Sequence, residues 1–324
     1  MHSFSSLSRR HFVATIALTS TVASAQKFPD RPIRIIIPYA AGGGTDNLIR
    51  AIAQQVSSTL GQPLIIDNRP GGSTIIGTEA VSRAVPDGYT LLATDTAVVV
   101  NPGLFKSKIS FDTAKTLQGV TMMAYAPVVL AIHPSVPSRN LPELLALARA
   151  KPGSLNYASG GSGSSSHLAG ELLKTSAKVL ITHIPYKGTS LALNDLLAGQ
   201  VQMQFGGISS LRQHILSGKL RAIAVTGKER SPALPDVATF AEFELNVDAD
   251  SYWGVYAPAG VPKEIVDTLQ LHLQNALRDP ANAEKLAGLG FVPIGNTPME
   301  HTRQMRRLID TWTKVIDDAR IQIE

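Results

Sequence analysis

The sequence predicts an α/β protein of two domains that face each other across a cleft. Three observations carry this reading. Apolar, strand-like runs alternate with amphipathic helical stretches along most of the chain, the pattern of a sheet covered by helices. A strand, a glycine loop and a helix N-terminus follow one another over residues 33–50, IRIIIPYAAGGGTDNLIR. The same succession returns from Leu155 onward, through Ser159-Gly160-Gly161-Ser162-Gly163-Ser164-Ser165-Ser166-His167. A length of 324 residues suits about two such domains.

In chain order, residues 33–37 form a short β-branched run that suits a strand buried on both faces, stopped at Pro38. Residues 40–44 make the loop, and Thr45 and Asp46 are both N-cap types. Leu48, Ile49, Ile52, Ala53 and Val56 then share one helical stripe, so a helix is predicted over 47–60, closed at Gly61. Strands are predicted over 63–68 and 89–93, with a helix at 77–84 between them, which together imply a parallel sheet. Thr94-Asp95-Thr96 stands at the carboxyl end of the third strand, where open α/β sheets bind ligands. The apolar stretch 120–133 reads as the passage into the second domain. There the prediction is a helix over 141–150, a strand over 155–158 and a helix to about 174. A strand at 178–185, a helix at 191–198 and a strand at 201–205 follow, then a helix at 211–217 and a strand at 220–226. The Pro-rich segment 230–240 begins the return, and a strand at 253–257 and helices at 263–277, 280–289 and 298–320 finish the chain. Domain one is therefore 26–127 with 250–324, and domain two is 128–249.

Composition narrows the functions. A hydrophobic fraction of 44% and a charged fraction of 17% are those of a soluble globular protein with ample core. Net charge is +5, but no basic run is longer than Arg306-Arg307, and the few aromatics are not interleaved with Lys or Arg. Nucleic-acid binding has no footprint here. No apolar stretch reaches the roughly 18 residues of a membrane helix. With zero Cys there are no disulfides, no thiolate metal sites, no cysteine nucleophile and no cysteine for a lipid anchor. The histidines lack metal-ligand spacing, so no metal and no cofactor are expected. The N-terminus reads as an export signal: Ser8-Arg9-Arg10-His11-Phe12 has the twin-arginine core, 13–22 is modestly apolar, and Ala23-Ser24-Ala25 is a small-residue cleavage site before Gln26. The diluted apolar region fits the twin-arginine route and leaves the general one open. Cleavage after Ala25 would place the mature chain in the periplasm.

The glycine loops point to an anion. The first N–H groups of a helix lack intrahelical partners, and the helix dipole favours negative charge beside them. Gly42 and Gly44 fit a dinucleotide fingerprint, but Asn47 stands where its third glycine belongs; Thr45 follows Gly44 with no P-loop Lys. A carboxylate fits better than a nucleotide, and a plain βα turn is the alternative. Two such loops facing each other would each hold one end of a small acid. Several residues have double readings. Asp95 either faces the ligand, favouring an ammonium or amide there, or caps the next turn. Asp46 caps its helix or touches ligand. His167 donates to a carboxylate or packs. Tyr186 and Lys187 close over the cleft or form a solvated turn. The Ser/His loop 159–167 also admits a serine hydrolase, although Gly160-Gly161-Ser162-Gly163-Ser164 breaks G-x-S-x-G at its last position.

A family resemblance runs through the whole mature chain. Phe28-Pro29-Asp30-Arg31-Pro32-Ile33-Arg34 and Pro38-Tyr39-Ala40-Ala41-Gly42-Gly43-Gly44-Thr45-Asp46 begin it. Asn68-Arg69-Pro70-Gly71, Pro86-Asp87-Gly88-Tyr89-Thr90-Leu91-Leu92 and His133-Pro134-Ser135-Val136-Pro137 continue it. Pro152-Gly153-Ser154-Leu155-Asn156-Tyr157, Ser165-Ser166-His167-Leu168-Ala169-Gly170-Glu171, Pro185-Tyr186-Lys187-Gly188 and Arg230-Ser231-Pro232-Ala233-Leu234-Pro235-Asp236-Val237 complete it, with Ala257-Pro258-Ala259-Gly260 last. The pattern resembles the Bug receptors, the extracytoplasmic solute receptors of tripartite tricarboxylate transporters. The resemblance implies a type II periplasmic-binding-protein fold: two α/β domains with a cleft and two crossovers. It implies a monomer that binds a small organic acid and meets the membrane components of such a transporter; a ligand sensor without a transport role is the variant reading. The family holds its ligand mainly through backbone N–H groups, which carries over to Tyr39, Ala41, Gly42, Gly43, Thr45 and Asp46 in the first loop. In the second it carries over to Ser159, Gly160, Ser164, Ser165 and His167. Asp95, Thr96, Tyr186 and Gly206 are added at the rim. Three departures fall near the cleft: Ile75 replaces a usual Asn, Asp95 stands in a usually Ser/Gly-rich stretch, and Gly206-Gly207 replace Asp and Asn.

Overall fold

The computed structural model describes residues 28–186, 188–318 and 321. The export signal and Lys187 lie outside the described residues. In chain order the elements are β1 (Ile33–Ile37), α1 (Gly44–Leu60), β2 (Leu64–Asn68), α2 (Ile75–Ser82), β3 (Thr90–Thr94), α3 (Ala97–Leu104), α4 (Thr113–Thr116) and β4 (Leu117–Ala126). Then come β5 (Val128–Ile132), α5 (Leu141–Ala150), β6 (Asn156–Ser159), α6 (Ser165–Ala177), β7 (Thr182–Pro185), α7 (Thr189–Leu197), β8 (Met203–Gly207), α8 (Ile208–Leu216) and β9 (Arg221–Val225). The chain closes with β10 (Ser251–Pro258), α9 (Lys263–Arg278), α10 (Pro280–Gly288), β11 (Val292–Pro293) and α11 (Pro298–Asp318).

Two sheets result, a six-stranded one in the order β11-β4-β10-β3-β1-β2 and a five-stranded one in the order β7-β6-β8-β5-β9. Both are mixed rather than parallel. β1 runs parallel to β2 and β3, but β10 is antiparallel to β3 and β4. Likewise β6 is parallel to β7 and β8, and β5 is antiparallel to β8 and β9. Of the odd strands, β10 and β5 are entered from the other sheet, while the two-residue edge strand β11, antiparallel to β4, follows α10. No βαβ crossover sets their direction, so the rule that makes the rest parallel does not reach them.

The apolar stretch 120–133 resolves into two strands in different sheets. Pro127 parts them, because it has no N–H to give a ladder. The second crossing runs from β9 to β10. The two are tied together: Val128 N–H donates to Thr226 Oγ1 at 2.8 Å, and that hydroxyl donates to Asp250 Oδ1 at 2.6 Å.

Ile33, Ile35 and Ile37 of β1 are fully buried against Leu48, Ile49, Ile52 and Val56 of α1 and Leu269 and Leu273 of α9. Each such side chain contributes about 1.5–3 kcal/mol by leaving water. This fixes β1 and α1 rigidly, and with them the loop between. α1 begins at Gly44, three residues before its expected start, with Gly43 as an N-cap lacking any side-chain bond. α3 was not predicted from the sequence pattern, since Val98-Val99-Val100 with Pro102 just after it favours helix poorly, and neither were the short α4 and β11. α3 is held by packing against α11, whose Met305, Trp312 and Ile316 are buried.

Candidate functional site: a cleft of helix N-termini

A cavity of about 440 Å³ lies between the two sheets, floored by Ala126, Pro127 and Val128 at the first crossing. That volume suits a small metabolite. The cavity sits outside the carboxyl ends of β1, β3, β6, β7 and β8, and after each of these a helix begins at its wall. The first turns of α1, α3, α6, α7 and α8 contribute Gly44, Ala97, Ser165, Thr189 and Ser209 to the lining. Each helix start carries N–H groups without intrahelical acceptors and the positive end of a dipole.

Of the residues singled out from the sequence, Tyr39, Asp95 and Thr96 line the cavity from one side, and Gly160, Ser164, Ser165 and Gly206 from the other. Ser165 Oγ stands 3.5 Å from Thr96 Oγ1 across the gap. Thr96 is held in place because its oxygen also accepts the Tyr252 N–H at 2.9 Å. The structure does not bring Ala41, Gly42, Gly43, Thr45, Asp46, Ser159, His167 or Tyr186 into this lining. Ala41, Gly42 and Gly43 are exposed, while Thr45 and Asp46 are buried. Asp46 Oδ2 accepts the Gly42 N–H and Arg50 Nε–H, each at 2.8 Å, and Oδ1 accepts from Asn68 at 3.2 Å. The Arg50 bond holds this carboxyl below its ordinary pKa. Asp46 therefore shapes the first loop from behind.

Behind the second loop, Ser159 Oγ lies 2.6 Å from His183 Nε2, and the Gly163 N–H donates to His167 Nδ1 at 3.0 Å. The two imidazoles stack with centroids 4.1 Å apart, and His183 stacks in turn on Tyr157 at 4.9 Å. Burial pushes His167 down to about 4 and His183 down to about 3, so both are neutral at pH 7. They brace the loop through a neutral hydrogen bond rather than offering a charge to a ligand. Tyr186 donates its hydroxyl to Asp195 at 2.6 Å.

Sequence reasoning missed part of the lining: Ser73, Thr74 and Asn101, and the aromatic pair Trp253 and Phe291. Gly71, Gly72, Ser73 and Thr74 all have positive φ, at 128°, 55°, 52° and 76°. Such a turn is strained at Ser73 and more so at β-branched Thr74. Asn101 holds it, donating from Nδ2 to Ser73 O at 2.6 Å and Thr74 Oγ1 at 3.0 Å. The Gly71-Gly72 pair was a signal for a left-handed turn; nothing in the valine run marked Asn101. Trp253 meets Phe291 edge-on at 4.9 Å and packs beside Gly44, where a Cβ would lie 3.5 Å from its Cζ2.

The lining has a distinct charge pattern. Among the described residues Asp95 is its single ionisable acid, and no Lys, Arg or His joins it. Asp95 Oδ1 accepts the Tyr39 hydroxyl at 2.5 Å and the Ala97 N–H at 2.9 Å, so it both faces the cavity and caps α3. Burial raises its pKa, against the opposing effect of the Tyr39 bond. Among the described residues no cluster of three or more metal-ligating side chains could hold an ion.

Two mixed α/β sheets that pin a small, polar cleft between helix N-termini define a solute-binding protein. The model of the tripartite tricarboxylate transporter receptor family, TctC, matches residues 48–321, and the chain belongs to that family, which includes the Bug proteins. Its members are periplasmic solute receptors rather than enzymes. The chain is similar to the periplasmic binding protein BugD, with TM-score 0.78 and 32% identity over 92% of this chain and 100% of that one. It is also similar to Rpa4515 of R. palustris, solved with adipate, with TM-score 0.80 and 32% identity over 91% and 99%. A third relative is MatC (Rpa3494) of Rhodopseudomonas palustris, solved with malate, with TM-score 0.75 and 30% identity over 89% and 100%.

Proposed function

We propose that this receptor captures a small carboxylate in the cleft and delivers it to the membrane components of a tripartite tricarboxylate-type transporter. The carrying observation is that five helix N-termini reach one cavity whose lining, among the described residues, has no cationic side chain. Backbone N–H groups are then the donors for an anion. Each such bond to a charged group contributes about 1.5–3 kcal/mol. A few of them suffice for micromolar capture after ordering and desolvation are subtracted. The adipate and malate bound by relatives agree with this ligand class.

On this reading Tyr39, Asp95, Thr96, Gly160, Ser164, Ser165 and Gly206 meet the ligand. Thr45, Asp46, Ser159, His167 and Tyr186 shape the loops that do so, and Ala41, Gly42 and Gly43 approach when the cleft closes. Closure moves 26–127 and 250–324 as one domain against 128–249, hinged at the two crossings. The mature chain, released by cleavage after Ala25, acts in the periplasm as a monomer.

A thermal-shift screen of the mature protein against carboxylic acids tests the proposal. An acid present at about 100 times its Kd adds about 2.7 kcal/mol to stability and raises Tm. A screen in which no small carboxylate raises Tm would sink it.

A further inference from the structure

We propose that the cleft selects acids whose second polar end is a hydrogen-bond donor, an amide or an ammonium, and that the Asp95 carboxylate is the selecting group. This rests on the carboxylate-receptor reading above and narrows it.

The two sides of the cavity differ in what they offer. The wall from the five-stranded sheet presents the first turns of α6 and α7, with Gly160 and Gly161 beside them. Helix starts are rich in N–H donors, which suit a carboxylate. The corner built from the ends of β1 and β3 presents Tyr39 and Asp95. Tyr39 has one hydroxyl proton, and it is donated to Asp95 Oδ1. The Ala97 N–H is donated to the same oxygen. Both of these donors are therefore already used. What the pair keeps clear of both bonds is an acceptor, Asp95 Oδ2.

A dicarboxylate needs donors or cations at both ends. Here one end would meet an acid, and among the described residues the lining holds no Lys, Arg or His to offset the repulsion. A ligand with one carboxylate and one donor matches both sides. Repulsion of the wrong ligand discriminates as effectively as attraction of the right one. The expected ligand thus differs from the adipate and malate with which two relatives were solved.

Isothermal titration of the full mature chain with succinate, adipate and their monoamides, succinamate and adipamate, tests this. The wild type is expected to bind a monoamide at least tenfold tighter than its parent diacid. Asp95→Asn keeps an oxygen for Tyr39 and Ala97 but loses the charge, and is expected to shrink that ratio at least tenfold. Asp95→Ser, with a melting curve to check folding, is expected to do the same. Tighter binding of the parent diacid by the wild type overturns the proposal, as does an unchanged ratio in either folded variant. If the acids bind with no monoamide preference, this inference alone fails. If none of the four binds, it fails as well, and the receptor reading is decided separately by the broader screen.

Discussion

Asn101, on α3, donates its side-chain amide to the carbonyl of Ser73 at 2.6 Å and so closes a left-handed turn twenty-eight positions earlier in the chain. The turn forms part of the cleft wall. Asn101→Ala leaves the Ser73 carbonyl and the buried Thr74 hydroxyl without their donor, at a cost of about 1–3 kcal/mol. Ligand affinity is expected to fall at least tenfold, because the wall is no longer held. Ser73→Gly in the same background relieves the positive-φ strain and is expected to recover about 1 kcal/mol of stability. Chemical denaturation and titration of the three variants check this; a lone Asn101→Ala with unchanged stability would remove the argument.

Gly163 has φ +82°, and a Cβ there would meet Leu104 Cδ2 at 2.7 Å. Gly163 belongs to the loop of one sheet and Leu104 to α3 of the other, so this contact spans the cleft. Gly163→Ala is expected to cost about 1–2 kcal/mol through backbone strain. It should also weaken ligand capture by wedging the two sides apart. Adding Leu104→Ala restores affinity but not stability, because only the clash is relieved. Equal recovery of both would contradict a spanning contact.

The stability of the crossings depends on pH through Asp250. Burial, reinforced by Asp248, pushes its carboxyl up to about 6 despite the bond from Thr226. The folded state therefore holds a proton that the unfolded state has released between about pH 4 and 6. Stability from this group is present at low pH and is lost as pH rises through 6. The loss amounts to about 3 kcal/mol, the free energy that separates an ordinary carboxyl from one titrating near 6. Asp250→Asn keeps an oxygen for Thr226 and avoids the buried charge. The variant is expected to melt above the wild type at pH 8 and with it at pH 4. A constant difference across that range would rule out the titration.

Two tryptophans are present in the chain, Trp253 at the cleft and Trp312 buried on α11. Ligand binding is expected to change the emission of Trp253 as its surroundings lose water. Trp253→Phe should abolish the change and Trp312→Phe should keep it. The opposite outcome would place the ligand away from the Trp253 wall.

Much of the fold was legible because the signals were local. The Ile33–Ile37 run, the α1 stripe and the amphipathic C-terminal helices each state their own structure within a dozen residues. The second glycine loop declared half of the cleft in the same way. The hidden parts depend on distant partners. α3 is helical despite its valines because α11 covers it, and Asn101 matters only because Ser73 lies opposite. Asp46 reads as a cap or a ligand group until Arg50 and Asn68 are seen to claim its oxygens. The direction of β10 follows from a crossing that no local pattern encodes.

That same strand sets an order of assembly. β10 stands between β3 and β4, so the six-stranded sheet lacks an inner member until residues 251–258 have joined. Until then β3 and β4 each keep an unpaired edge, a template for wrong pairings. The five-stranded sheet draws every strand from 128–225 and can close as soon as that span is present. Long-range pairing is slow, because loop closure must be met before the new contacts reward it. The protein is thus expected to complete the sheet of its middle span first, and the sheet that joins the two ends of the chain last.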